Sequence, residues 1–265
     1  MKEIYISIIG IILSTWSLCH PQNLYHKIRG TETAQFEKII TAKPNTRIVI
    51  QQRNNGNITI HGSKQNEIKI NESQTGKKGS IASANSLIEQ RDNDLIISIP
   101  EGANSISLDI QVPEKTELHI TSANGSITIE DIKKSMFLST GSGNITLNNA
   151  QESIQAQTNN GTIEIVFESV LPGSSITLEA TANIILTMPQ GTSGELLANT
   201  QGRIISEHFI TLNPITTKIH ARTWKELLKS INGYIGASSP RKINHKGPAT
   251  RFILTSTRGG KIYIQ

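Results

Sequence analysis

The sequence predicts an all-β fold built from stacked short coils, a β-solenoid. Three observations carry that expectation. First, segments 118–129, 136–147 and 154–165 align without gaps at a step of eighteen residues. Second, their apolar residues fall in columns: Leu118/Met136/Ile154, Ile120/Leu138/Ala156, Ile127/Ile145/Ile163 and Ile129/Leu147/Ile165. Third, a glycine column, Gly125/Gly143/Gly161, separates the two apolar pairs of each unit. A fixed period marks units that bury their apolar face against neighbouring copies. Alternation within each run is the two-residue period of a half-buried strand.

The composition agrees. Aromatic residues make up 4 % of the 265 residues and apolar residues 36 %, the latter mostly Ile, Leu and Val. Such a chain suits a narrow core of β-branched layers rather than a wide globular one. Abundant Asn, Ser, Thr and Gly fit many turns.

From the N-terminus, Lys2 precedes an apolar run over 4–13 that is short for a membrane span, and Ser17 and Cys19 obey the small-residue rule for cleavage. Residues 1–19 therefore read as a signal peptide and the protein as exported, to the periplasm, cell surface or medium. Lipoprotein anchoring at Cys19 and a retained anchor are the alternatives. Cys19 is the single cysteine, so a chain cleaved there has no disulfide and no thiolate chemistry.

Residues 20–44 read as a polar lead-in with little periodicity, and 45–265 as one repeat domain. Alternation begins at Arg47 and recurs over 55–60 and 66–70; residues 71–86, rich in Ser, Gly and Lys, read as a loop or weak edge. Strands at 95–99 and 105–112 each end at a proline, which suits a strand end. After the three regular units, an insertion near 171–175 lengthens the step to 22 residues. The next unit lacks a glycine, and Asn183 is the nearest corner candidate. Gly202 restores the Gly-x-Ile step. The segment 207–250 is irregular and basic: residues 207–265 hold ten Lys/Arg against two Asp/Glu, a balance of +8 on a chain of net charge +5. The capping-box spacing Thr223 to Glu226 suggests a short helix or turn, followed by a strand near 230–235. A last full unit, 252–264, would act as a cap.

Asn-Gly between alternating runs is normally a hairpin signal, so an antiparallel β-sandwich is the competing fold. Against it, the 121–125 connection holds five small or polar residues where a tight hairpin needs two. A constant step also follows directly from stacking.

The step Thr/Ser-x-x-Gly-x-Ile-x-Ile/Leu recurs at Gly125, Gly143, Gly161 and Gly260, with looser Gly-x-Ile forms at Gly56 and Gly202, and 110–122 has the form of an entry into regular repeats. Over about 45–265 these features resemble the bacterial putative-adhesin β-strand-repeat family. The resemblance implies a right-handed single-stranded β-solenoid in an envelope or secreted protein, and it implies no catalytic residues. The basic 207–250 segment departs from the simple repeat.

No strong catalytic constellation is legible. The histidines are scattered; His208 and His220 have no carboxylate at ligand spacing. His119, between Leu118 and Ile120, should point outward. Glu130 and Asp131 adjoin on a strand and face opposite ways. On the period, Glu164 stands beside Thr128 and Thr146, and Asp131 beside Asn149 and Phe167, with no column holding two carboxylates. The expectation is a non-enzymatic protein with no cofactor or metal. It would present outward ladders, Thr121/Ser139/Gln157 and Asn124/Ser142/Asn160, for adhesion or envelope scaffolding. Arg241, Lys242, Lys246 and Arg251 form a candidate contact for an anionic surface. A cell-surface glycan or envelope component is the expected partner, and nucleic acid is not. A self-assembling structural protein and a polysaccharide-acting enzyme are the alternatives.

Overall fold

The computed structural model describes residues 24–28, 31–43, 46–77, 80–81, 86–102, 104–200, 204–206, 210–212, 230–235, 250–257 and 259–265. The signal segment 1–19 and Gly202 lie outside the described residues, as do His208, His220 and the 223–226 capping box. Every regular element among the described residues is a β-strand, so the all-β expectation holds.

The described residues form two mixed sheets of eleven strands each. The first runs β1 (Leu24–Ile28), β2 (Thr31–Thr41), β5 (Glu67–Lys77), β8 (Ser105–Pro113), β4 (Ile58–Ser63), β10 (Ile127–Glu130), β12 (Ile145–Ala150), β14 (Ile163–Phe167), β16 (Ile184–Thr187), β22 (Ile262–Ile264) and β18 (Ile204–Ser206). The second runs β6 (Leu87–Arg91), β7 (Asp94–Ile99), β3 (Arg47–Asn55), β9 (Glu117–Asn124), β11 (Met136–Ser142), β13 (Ile154–Thr158), β15 (Ser175–Ala180), β21 (Arg251–Ser256), β17 (Gly194–Thr200), β20 (Ser230–Ile235) and β19 (Ile210–Leu212).

The eighteen-residue step is the hydrogen-bonding register. Ile127 pairs with Ile145 and Ile145 with Ile163 in parallel, and Leu118 pairs with Met136 and Met136 with Ile154. The strands before and after Asn124-Gly125, β9 and β10, belong to different sheets, so this Asn-Gly is a crossing between sheets and not a hairpin. Apolar residues from both sheets, Ile120 and Leu138 from one and Ile129 and Leu147 from the other, join in one cluster. Ile145 is fully buried, a position that contributes about 1.5–3 kcal/mol.

The glycine column is set by crowding at the crossings. Gly143 has φ +139°, a backbone region closed to other residues. A Cβ there would also stand 2.4 Å from the carbonyl oxygen of Gly125. Gly161 and Gly260 have no positive φ; there space alone excludes a side chain, with Cβ positions 2.0 Å from Gly143 O and 1.8 Å from Ala182 O. In the unit without glycine, Ala182 occupies this column, its N–H donating to Gly161 O at 3.2 Å. Asn183 is one position later with no positive φ, so it is not the corner residue. Left-handed turns at a non-glycine residue occur instead at Asp92 (φ 51°), Asp131 (φ 59°) and Asn149 (φ 61°), between β6 and β7, after β10 and within β12.

Several local expectations are corrected. The lead-in contributes β1 and β2, paired antiparallel, and β2 continues antiparallel onto β5. Its period was obscured because Ile39 faces outward at 56 % exposure beside Ile40. β5 runs on to Lys77 through residues read as a loop. Asn149 is bulged, so Ala150, and not Asn149, pairs with Phe167.

The largest correction concerns order. β3 and β4 lie between the 94–113 strands and the 117–130 strands. The last unit, β21 and β22, is interior: β21 pairs in parallel with both β15 and β17, and β22 with both β16 and β18. It therefore does not cap the molecule. Antiparallel strands flank the parallel ladders instead: β6 at one end of the second sheet, β20 and β19 at the other, and β5, β2 and β1 on the first sheet.

Candidate functional site

Behind each crossing runs a buried polar column that sequence reasoning missed. Gln52, Ser122, Thr140, Thr158, Thr200 and Ser256 are all at most 4 % exposed. The Thr140 hydroxyl donates to Gly125 O at 3.0 Å and that of Thr158 to Gly143 O at 2.8 Å. Gln52 Nε2 donates to Ile106 O at 2.7 Å. In the regular units the signal was the Ser/Thr three residues before the glycine, at 122, 140 and 158; Gln52, Thr200 and Ser256 stand at other offsets and gave none. All but Ser122, whose hydroxyl has no partner, donate to carbonyls at the crossings, and they are structural.

The outward columns are polar and in register. Ser139 pairs with Thr121 on one side and Gln157 on the other. Ser142 pairs with Asn124, and Asn160 lies at the 3.5 Å limit of a hydrogen bond to Ser142 Oγ. One position after the glycine, side chains cross-link successive strands. Asn57 Oδ1 accepts from Ser126 N, Asn144 Oδ1 from Thr162 N, and Asn183 Oδ1 from Lys261 N, at 2.9–3.0 Å. This is where Asn183 acts.

On the outer face of the second sheet, Phe137 is 38 % exposed. Its ring lies 5.8 Å from that of His119 at 39°. His119 points outward as expected and is held by Glu117, with Nε2 3.0 Å from Oε1. Ser135 and Ser153 with Gln155, Ser175 and Thr177 complete a groove of about 280 Å³ around the two rings.

The first sheet carries a wider polar groove of about 680 Å³ where β2, β5, β8 and β4 meet. Glu37, Asn71, Asp109 and Thr59 stand in one row across it. Beyond the three regular units a row can thus hold two carboxylates, against the sequence expectation. His61 stands between two acids, 3.2 Å from Glu130 and 3.9 Å from Asp109. Asp131 accepts from Asn149 Nδ2 at 2.8 Å, and Glu164 stands beside Thr146. Among the described residues, no group of three or more His, Cys, Asp or Glu is arranged to hold a metal ion.

Two ion pairs shift titrations. The Arg47 guanidinium, hydrogen-bonded to Asp94, holds that carboxyl below its ordinary range, while Arg47 itself is raised by the same bond. Glu114, 3.1 Å away, raises Lys133.

Of the candidate anionic-surface contact, Arg241, Lys242 and Lys246 lie outside the described residues. Arg251 is exposed and bonded to Glu195 at 3.3 Å across β21 and β17, so its charge is already partnered. Among the described residues no helix is long and apolar enough to cross a membrane.

No protein-family profile matches the chain, and no curated protein matches it. Among solved structures it is similar to a "putative cell adhesion protein" from Clostridium sporogenes, at 13 % identity and a TM-score of 0.49, over 87 % of this chain and 98 % of that one. It is also similar to a "putative adhesin" from Bacteroides fragilis, at 12 % identity and 0.33, over 87 % and 97 % of the two chains. A third, a "putative adhesin" from Parabacteroides merdae, matches at 8 % and 0.26, over 87 % and 96 %. At these values the likeness carries no argument about function.

Proposed function

We propose that this chain is an exported, right-handed, single-stranded β-solenoid whose polar outer surface serves adhesion, with a cell-surface glycan or envelope component as partner. The observation that carries the reading is the register: parallel pairing at the repeat step sets Thr, Ser, Asn and Gln side chains in straight outward rows. Consecutive strands of the regular units alternate between the two sheets, as one-strand-per-sheet coils require. The handedness follows the rule for parallel crossovers. Export rests on the apolar run over 4–13 and the small residues at 17 and 19.

The role is binding rather than catalysis. Asp131 is engaged by Asn149, and the buried Thr140 and Thr158 hydroxyls donate to backbone carbonyls. Repeat surfaces of this kind offer extended contact areas. Scaffolding by end-to-end assembly is the weaker variant, because edge strand β6 is short and carries Glu89 and Arg91, a design that discourages pairing.

The test is binding of the purified mature protein to isolated envelope fractions and to a broad panel of immobilised cell-surface glycans. Saturable binding to one or more supports adhesion; no binding to any contradicts it.

A further inference from the structure

We propose that the groove around Phe137 on the second sheet is a binding site for a linear, uncharged polysaccharide, and that Phe137 is its stacking platform. The inference rests on the adhesion reading and narrows it to one face and one ligand class.

Among the described residues Phe137 is the one exposed phenylalanine; Phe36, Phe167 and Phe252 are buried. Phe137 sits in the middle of a polar row. Its strand neighbours in that row are His119 and Gln155, with Thr177 next after Gln155. His119 is fixed by Glu117 and by its contact with the Phe137 ring, so the platform is preorganised. Burying an exposed apolar ring supplies free energy with little conformational cost.

What surrounds the ring selects the ligand. Ser135, Ser153 and Ser175 stand on one side, at successive strands of the ladder. Thr121, Ser139 and Gln157 stand on the other. Hydroxyls and amides both donate and accept, which is what sugar hydroxyls need. A sugar ring offers an apolar face of C–H groups to the aromatic and polar edges to the two flanking rows. The rows repeat at the strand spacing of ~4.8 Å, close to the length of one pyranose in an extended chain. A β-1,4-linked glycan lying along the stack would therefore meet equivalent hydroxyl and amide groups at each unit.

Charge argues the same way. The acid in the groove, Glu117, is hydrogen-bonded to His119, and the cations bordering the serine row, Arg47 and Arg251, pair with Asp94 and Glu195. No lysine or arginine lines the groove, so a polyanion finds no counter-charge there. A flat, repeating polar surface with one aromatic anchor fits a neutral polymer better than a protein, whose partner surface would bring its own charges.

Isothermal titration of the mature protein with soluble β-1,4-linked hexasaccharides of glucose and of N-acetylglucosamine is the test. Binding is expected to at least one. Phe137→Ala should weaken it at least tenfold, Phe137→Trp should retain or improve it, and Thr146→Ala on the opposite sheet should leave it unchanged. Melting curves of all variants should match, since Phe137 contributes little to the core. Binding that survives Phe137→Ala, or equal loss in Thr146→Ala, overturns the site. So does the lack of binding to both sugars. The adhesion reading then still stands or falls by the envelope-fraction experiment, in which other faces can act.

Discussion

Gly143 and Gly191 both have positive φ, +139° and +86°, yet they sit in opposite surroundings. A Cβ at Gly143 meets the Gly125 carbonyl, whereas at Gly191 nothing lies within 4 Å. Gly143→Ala should therefore destabilise by backbone strain of ~1–3 kcal/mol plus displacement of the neighbouring strand. Gly191→Ala should show the smaller loss; denaturant unfolding compares them. A second contrast lies one layer inward. Thr140→Val removes the donor to Gly125 O and should cost about 1 kcal/mol or more. Ser122 Oγ is buried without a hydrogen-bond partner, so Ser122→Ala should be neutral or stabilising. Equal losses at the two sites would refute the assigned role of the hydroxyl column. Asp94 provides a pH test. Its folded-state pKa is lowered by Arg47, so its contribution is present above the ordinary carboxylate pKa and fades as pH falls through the lowered value. Arg47→Gln should return the Asp94 titration upward, as followed by carboxyl NMR.

At the scale of the element, each strand is a choice of faces. Ile145 and Thr146 are neighbours on β12, the first fully buried and the second half-buried on the outer face. Ile145→Asp places an unpaired charge in the core and should cost more than ~4 kcal/mol, abolishing the cooperative melt. Thr146→Asp should be tolerated within ~1 kcal/mol. This division of faces was readable in advance, since an Ile-x-Ile pair beside polar neighbours has one solution as a strand. β2 was not readable. It places Ile39 outward against Lys69, and its inward Ala34 and Phe36 pack in a small separate cluster with Ile81. The groove was only half readable: the eighteen-residue step already sets His119 opposite Phe137, but it does not show that the two rings touch or that Phe137 stays exposed.

For the whole molecule, the repeat fixed which residues match within a column, but not which unit neighbours which. Parallel backbone pairing is largely indifferent to sequence, so any unit can adjoin any other. For this reason the interior position of 251–264, and of 47–63 between later segments, escaped sequence reasoning. The consequence is testable. Phe252, Leu254, Ile262 and Ile264 are all fully buried, each contributing about 1.5–3 kcal/mol, against a net stability of about 5–15 kcal/mol for a typical domain. Deleting residues 250–265 should thus destroy the cooperative fold. A cap would be lost at far smaller cost.

The register itself is open to direct measurement by disulfide trapping, in a background where Cys19 is replaced by Ser. Thr128 and Thr146 are paired neighbours on adjacent parallel strands, whereas Thr128 and Glu164 are two strands apart. Adjacent strands lie ~4.8 Å apart, within reach of a disulfide, and alternate strands do not. The double variant Thr128→Cys/Thr146→Cys should form an intramolecular disulfide on mild oxidation and keep its melting transition. Thr128→Cys/Glu164→Cys should remain reduced. A disulfide in the second pair, or none in the first, would contradict the stacked parallel register on which the rest depends.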